Sequence, residues 1–161
     1  MDVLLDRAAA IGARLKARRE TVGVVESSSG GLVAAALLAV PGASRYFMGG
    51  AVVYTRDARE ALLGITAAEL GSIRSSSEPY AVLLAQTVRA RLGTTWGIAE
   101  TGAAGPTGNR YGDAAGHTCC AVAGPAGRVI TLETGDAGRV ANMRAFAGAL
   151  LDLFATALDA A

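Results

Sequence analysis

The run Val22-Gly23-Val24-Val25 leads into Glu26-Ser27-Ser28-Ser29-Gly30-Gly31, and that leads into the apolar stretch Leu32 to Val40. A strand-like run, a turn of small hydroxyls and glycines, and an alanine-rich helix-like run, in that order, commit this part of the chain to an α/β unit. The turn gathers hydroxyls and backbone N–H groups at one point. That is the chemistry of a site that grips an anion or activates a serine. Helix capping accounts for one of the three serines. It leaves the other two, the glycines and the acid to a functional role. The pattern is not G-x-S-x-G, so it is not the nucleophile elbow of the esterases.

The rest of the chain extends the same architecture. Residues 2–19 predict a helix with Leu4, Ala8, Ile11 and Leu15 on one stripe. Residues 48–55 predict a second strand, in which Gly49 and Gly50 mark a bulge or a close backbone approach. Short helices follow over 56–63 and 66–71. Ser77 caps a longer one to Leu92, with Pro79 in its first turn and Tyr80, Leu83, Leu84, Thr87 and Val88 inward. A third strand covers 94–101. After the loop 102–115 come strands at 117–123 and 128–134, joined by a hairpin-type turn at Gly124-Pro125-Ala126-Gly127. A last helix covers 137–159, with Val140, Met143, Ala147, Leu150, Leu151, Phe154 and Leu158 inward. The early alternation argues a parallel sheet covered on both faces, and the hairpin adds an antiparallel strand. The expectation is a mixed, mostly parallel sheet in one domain spanning 1–161.

Composition removes several function classes. Of the 161 residues, 52% are hydrophobic and 18% charged, enough apolar surface for a packed core rather than disorder. A net charge of +1 and 5% aromatics argue against a nucleic-acid partner. Cys119 and Cys120 are neighbours in a strand, so they point to opposite faces and make a poor disulfide or metal clamp. With one histidine, His117, no metal site is expected and no cofactor is implied. No signal peptide or membrane-length apolar run is read, so a cytoplasmic protein without a membrane partner is expected. The alanine-rich helices would allow the close contacts of a homo-oligomer.

A second glycine-rich segment, Glu100 to Gly108, also follows a strand-like run. Gly102, Gly105 and Gly108 let backbone N–H groups approach an anion, with Thr101 and Thr107 among them. Two such loops point to one ligand cleft where strand ends meet. Tyr54 ends a strand and Arg59 lies about one turn into the next helix. A buried tyrosine and a surface arginine are one reading; a ligand-facing tyrosine and an anion clamp are the other. Asn109, Arg110, Tyr111 and Asp113 are more polar than a connector needs. Glu100 and Glu26 are candidate bases. His117 reads as a hydrogen-bonded strand histidine.

Four segments together resemble the CinA C-terminal domain family, which includes the stand-alone nicotinamide mononucleotide deamidases. They are Val24 to Leu32, the turn Pro41-Gly42-Ala43-Ser44, Gly50 to Tyr54 with Leu62-Leu63-Gly64, and Thr101 to Gly108. The resemblance covers roughly residues 21–136, and the chain is similar to the stand-alone form. It implies an α/β/α three-layer sandwich. It also implies metal-independent hydrolysis of the mononucleotide's amide to nicotinic acid mononucleotide and ammonia, a step of pyridine nucleotide salvage. The family's serine nucleophile maps onto Ser27, its motif threonine onto Ser29 and its tyrosine onto Tyr54. Glu26, Gly30, Gly31 and the second loop (Thr101, Gly102, Gly105, Thr107, Gly108) then belong to substrate binding. Three departures stand out. The family's lysine, thought to activate the serine, is here Arg59, and a guanidinium does not give up its proton in a protein. The family's Gly-Asp-Arg is here Gly135-Asp136-Ala137, so its binding arginine is either replaced by Arg139 or Arg144 or missing. The loop 109–113 differs from the usual insertion. The resemblance therefore implies either an amidohydrolase acting through Ser27, Tyr54 and Arg59, or a nucleotide-binding relative in which Arg59 has ended or changed the reaction.

Overall fold

The computed structural model describes residues 2–161. Its elements in chain order are α1 (Asp2–Arg18), β1 (Val22–Glu26), α2 (Leu32–Leu38), β2 (Phe47–Val52), α3 (Arg56–Leu63), α4 (Ala67–Leu70), α5 (Glu78–Leu92), β3 (Trp96–Ala103), β4 (His117–Ala123), β5 (Arg128–Glu133) and α6 (Arg139–Asp159). The five strands form one sheet in the order β2-β1-β3-β4-β5. β1 pairs in parallel with β2 and β3, and β4 pairs antiparallel with β3 and β5. Four strands thus share one direction and only β4 runs against them. This is the mixed, mostly parallel sheet that the alternation predicts. Among the described residues no helix is long and apolar enough to cross a membrane.

Two apolar cores lie on the two faces. On one, α1, α2 and α6 cover Val22, Val24, Trp96, Ile98, Cys120 and Val122. On the other, α5 with α3 covers Val25, Ala99, Cys119 and Ala121. Adjacent strand residues such as Val24 and Val25, or Cys119 and Cys120, enter opposite cores because strand side chains alternate. The two buried thiols are free.

α5 comes unusually close to the sheet. A Cβ on Gly97 of β3 would sit 2.0 Å from the Ala85 carbonyl oxygen, so only glycine admits this approach. The predicted glycine irregularity in the second strand also exists. The register of β1 against β2 shifts so that Val22 faces Phe47 while Gly23 faces Gly49, leaving Met48 as the extra residue.

The last helix differs from its sequence reading. Val140 was expected inward but is 59% exposed, because α6 begins only at Arg139 and its first turn lies beyond the packed layer. Asn142 and Phe146, one turn apart, are buried instead. Leu83 and Thr87 of α5 are only half-buried, and the inner face runs through Ala81 and Ala85.

Candidate active site

β1 is the strand where the topology switches: the chain goes next to β2 on one side and later to β3 on the other. α2 leaves toward one face and α3 toward the other. Open α/β sheets take ligands at such a point, outside the carboxyl ends of the strands. A cleft of about 340 Å³ lies there. Ser27 enters it from the end of β1, Tyr54 from the end of β2, and Thr101 and Gly102 from β3. α3 adds Arg56 and Arg59. The segment before α5 adds Ser75 and Ser76, α5 itself adds Tyr80, and the loop after β3 adds Arg110 and Tyr111. Three arginines line the cleft and no carboxylate does. That charge pattern suits an anionic ligand.

Behind Ser27 lies a buried acid pair. Glu26 is 1% exposed and Glu100 0%. Glu100 accepts from the backbone N–H groups of Ser27 (3.2 Å) and Ser29 (2.8 Å). It also accepts from the hydroxyls of Ser28, Ser29 (2.8 Å) and Thr118 (3.0 Å). Glu26 accepts from the N–H groups of Gly31 (3.0 Å), Val33 (3.1 Å) and Ala34 (2.8 Å), and meets the Ser29 hydroxyl at 2.7 Å. The N–H groups at the start of α2 therefore do not wait for an outside anion, as the sequence suggested. The chain's own Glu26 takes them, through a turn in which Gly31 holds φ 96°.

The Ser29 hydroxyl has one proton and two carboxyl oxygens in range. One carboxyl must supply a second proton, or two lone-pair sets would face each other. Burial pushes the Glu26 carboxyl above its ordinary range, against the pull of the Ala34, Ser29 and Val33 donors, and the nearby Glu100 charge adds to the rise. The geometry is thus a relay through the Ser29 hydroxyl between the two carboxyls, one of which carries the second proton. Both candidate bases are engaged with buried donors around Ser28 and Ser29.

Arg59 is not the surface arginine of the simpler sequence reading. It is 4% exposed, its Nε donates to the Ile65 carbonyl at 2.9 Å, and its guanidinium lies beside the Tyr80 hydroxyl. Tyr54 is 60% exposed, and its hydroxyl accepts from Arg139 Nη2 at 3.1 Å. Arg139 Nη1 donates to the Gly105 carbonyl at 2.6 Å, so this arginine ties the second glycine loop to Tyr54. Arg144 lines a separate groove between α1 and α6. Gly30, Thr107 and Gly108 are exposed and outside the cleft lining.

The loop after β3 is the least ordinary part of the site. The Tyr111 hydroxyl accepts from Arg110 Nη2 at 3.1 Å, and the Arg74 and Arg110 guanidinium carbons lie 5.5 and 5.2 Å from its ring centre. The Arg110 hydrogen bond holds this phenol below its usual range against the opposing effect of burial, helped by Ser75 and Arg56. Asp113 anchors the loop by accepting from both terminal nitrogens of Arg74, at 2.6 and 3.0 Å. Ser75 and Ser76 had escaped the sequence reading. The signal was present, since Ser75-Ser76-Ser77 repeats the hydroxyl run of 27–29 just before a helix.

The sequence model of the CinA C-terminal domain matches residues 5–158. The chain belongs to that family. A CinA-like protein of Anaeromyxobacter sp. strain K is 43% identical over 136 residues, 83% of this chain and 33% of that protein. One from Prochlorococcus marinus MIT 9313 is 45% identical over 113 residues, 70% of this chain and 26% of its own length. The chain thus spans about a third or less of these CinA relatives. Among solved structures, the competence/damage inducible protein CihA from Agrobacterium tumefaciens matches with a TM-score of 0.86 at 28% identity, over 96% of this chain and 94% of that one. A CinA superfamily protein from Klebsiella pneumoniae 700603 matches with a TM-score of 0.90 at 21% identity, over 98% and 99%, and shows the shared fold. Of the candidate residues read from the sequence, Ser27, Tyr54 and Arg59 meet in one cleft, while Ser29 lies buried behind it.

Proposed function

We propose that this CinA-type cleft binds a pyridine mononucleotide and hydrolyses its amide, with Ser27 as nucleophile and ammonia as leaving group. The observation that carries the reading is the cleft's lining: a reachable serine among three arginines and no acid. The arginines suit a phosphate monoester, to which a guanidinium bonds through two parallel N–H groups. Arg59 also suits the oxyanion that forms when Ser27 Oγ adds to the amide carbon. It does not suit the task of taking the serine proton. Tyr111 lines the same cleft as Ser27, and its phenol is held below its usual range chiefly by Arg110, so we assign that step to Tyr111.

A second reading is favoured by Arg59 alone. With a permanent cation where the family's lysine stands, the cleft would bind the mononucleotide without turning it over. Ammonia release from nicotinamide mononucleotide, measured beside Ser27→Ala and with calorimetric titration of the same ligand, separates the two. Release that Ser27→Ala abolishes supports hydrolysis. Heat of binding without release supports the second reading, and neither heat nor release overturns both.

A further inference from the structure

His117 opens β4 and connects two segments that line the cleft. Its Nε2 lies 2.8 Å from the Ser76 carbonyl oxygen and 3.7 Å from Asp113 Oδ2. Its Nδ1 meets a carboxylate oxygen of Glu133. A carbonyl can only accept, so Nε2 carries a proton; a carboxylate at Nδ1 favours a second. Both ring nitrogens donate only in the imidazolium. Burial opposes that charge, but the bonds to Glu133 and Ser76 and the Asp113 charge outweigh it and raise His117 above its ordinary 6.5.

What the ring holds belongs to the cleft. Ser76 lines it, has φ 56° though it is not glycine, and donates its N–H to Thr101 Oγ1 at 3.2 Å. Such a backbone needs its surroundings to hold it. Asp113 closes the loop that carries Arg110 and Tyr111, and accepts from Asn109 Nδ2 at 2.8 Å as well as from Arg74. The other charged or titratable groups around the ring are Arg74, paired with Asp113; Glu78 of α5, which accepts from Thr131 of β5; and Cys119 of β4, whose thiol burial pushes up.

We propose that His117 is a positioning residue for the anion-binding wall of the cleft: as an imidazolium it ties Ser76 to Asp113 and so sets Arg110 and Tyr111, and when it loses its proton the wall loosens and anions bind more weakly. The role in binding rests on the reading of the cleft as an anion site. The sign follows from the direction of the shift. Below pH 6.5 both ring N–H bonds and the attraction to Asp113 are in place; as pH rises through the raised value the neutral ring keeps only one N–H and the attraction to Asp113 is lost.

Since the chain has one histidine, its imidazole resonances report His117 without ambiguity. The test follows those resonances, the amide signals of Tyr111 and Gly112, and the affinity for inorganic sulfate, which keeps its charge over the whole range. The expected result is a midpoint above 6.5, loop signals that titrate with it, and sulfate affinity that falls several-fold across the same interval. Glu133→Gln, outside the cleft, should lower all three midpoints together by about one unit. A midpoint at or below 6.5, or loop signals that stay fixed while the ring titrates, overturns the proposal. If the loop follows His117 but sulfate binds at no pH, the positioning role stands and the anion-site reading falls.

Discussion

The Ser29 hydroxyl lies 2.7 Å from a Glu26 oxygen and 2.8 Å from a Glu100 oxygen, and so joins two buried acids through one shared proton path. The relay fixes the turn behind Ser27, because Glu100 also holds the Ser27 N–H. Removing the bridge leaves both acids short of a partner in a dry site. Ser29→Ala should therefore cost about 1–3 kcal/mol of stability in denaturant titration. A variant as stable as the parent would show that the bridge contributes nothing.

Glu26 predicts a pH trend opposite to that of most carboxylates. Its folded-state pKa is raised, so between 4.5 and that raised value the folded chain holds more protons than the unfolded one, and stability falls as pH climbs. Glu26→Gln keeps the shape but cannot titrate, and its amide nitrogen takes the place of an oxygen that accepts from the Gly31, Val33 or Ala34 N–H groups. The expected outcome is a variant that is less stable than the parent but has lost this part of the decline. Thermal melts at stepped pH read it directly, and an unchanged slope would place the extra proton elsewhere.

Arg59→Lys tests whether the lack of a base at this position limits the proposed amide hydrolysis. A buried lysine can lose its proton, which arginine cannot. If the base alone is missing, the ammonia release rate should rise by about 100-fold or more, the range general-base catalysis contributes. The same change removes the Nε bond to the Ile65 carbonyl, so about 1 kcal/mol of stability should go with it. Lower stability without a faster rate would mean that the arginine serves another substrate.

Much of this was legible in the chain. Strand and helix order and the two-faced cysteines follow from periodicity and alternation, while the grouping of Ser27, Tyr54 and Arg59 is implied by the CinA resemblance. What escaped needed tertiary information. A glutamate that caps a helix from within, as Glu26 does, is written like one that waits for a ligand, since both read as an acid before glycines. Ser75 and Ser76 reach the cleft only because α5 packs where it does. That in turn depends on Gly97, where a Cβ would strike the Ala85 carbonyl; Gly97→Ala should cost about 1–3 kcal/mol, seen in the melting temperature. An unaffected melting temperature would mean that α5 can back away from the sheet freely.

Tyr111 offers the sharpest test of the chemistry. Its hydroxyl accepts from Arg110, and that bond with the neighbouring Ser75 and Arg56 holds the phenol below its usual range. Arg110→Gln removes the largest cause, so the phenolate absorbance transition should move to higher pH. If Tyr111 takes the proton from Ser27, the alkaline plateau of the rate should begin higher as well. Tyr111→Phe keeps the ring over which Arg74 sits but has no hydroxyl to ionise. It should lower kcat by about 100-fold or more, the usual size of a lost proton-transfer group, with a much smaller change in KM. A change confined to KM would make Tyr111 a binding residue, and the serine would then have to pass its proton to some other group in the cleft.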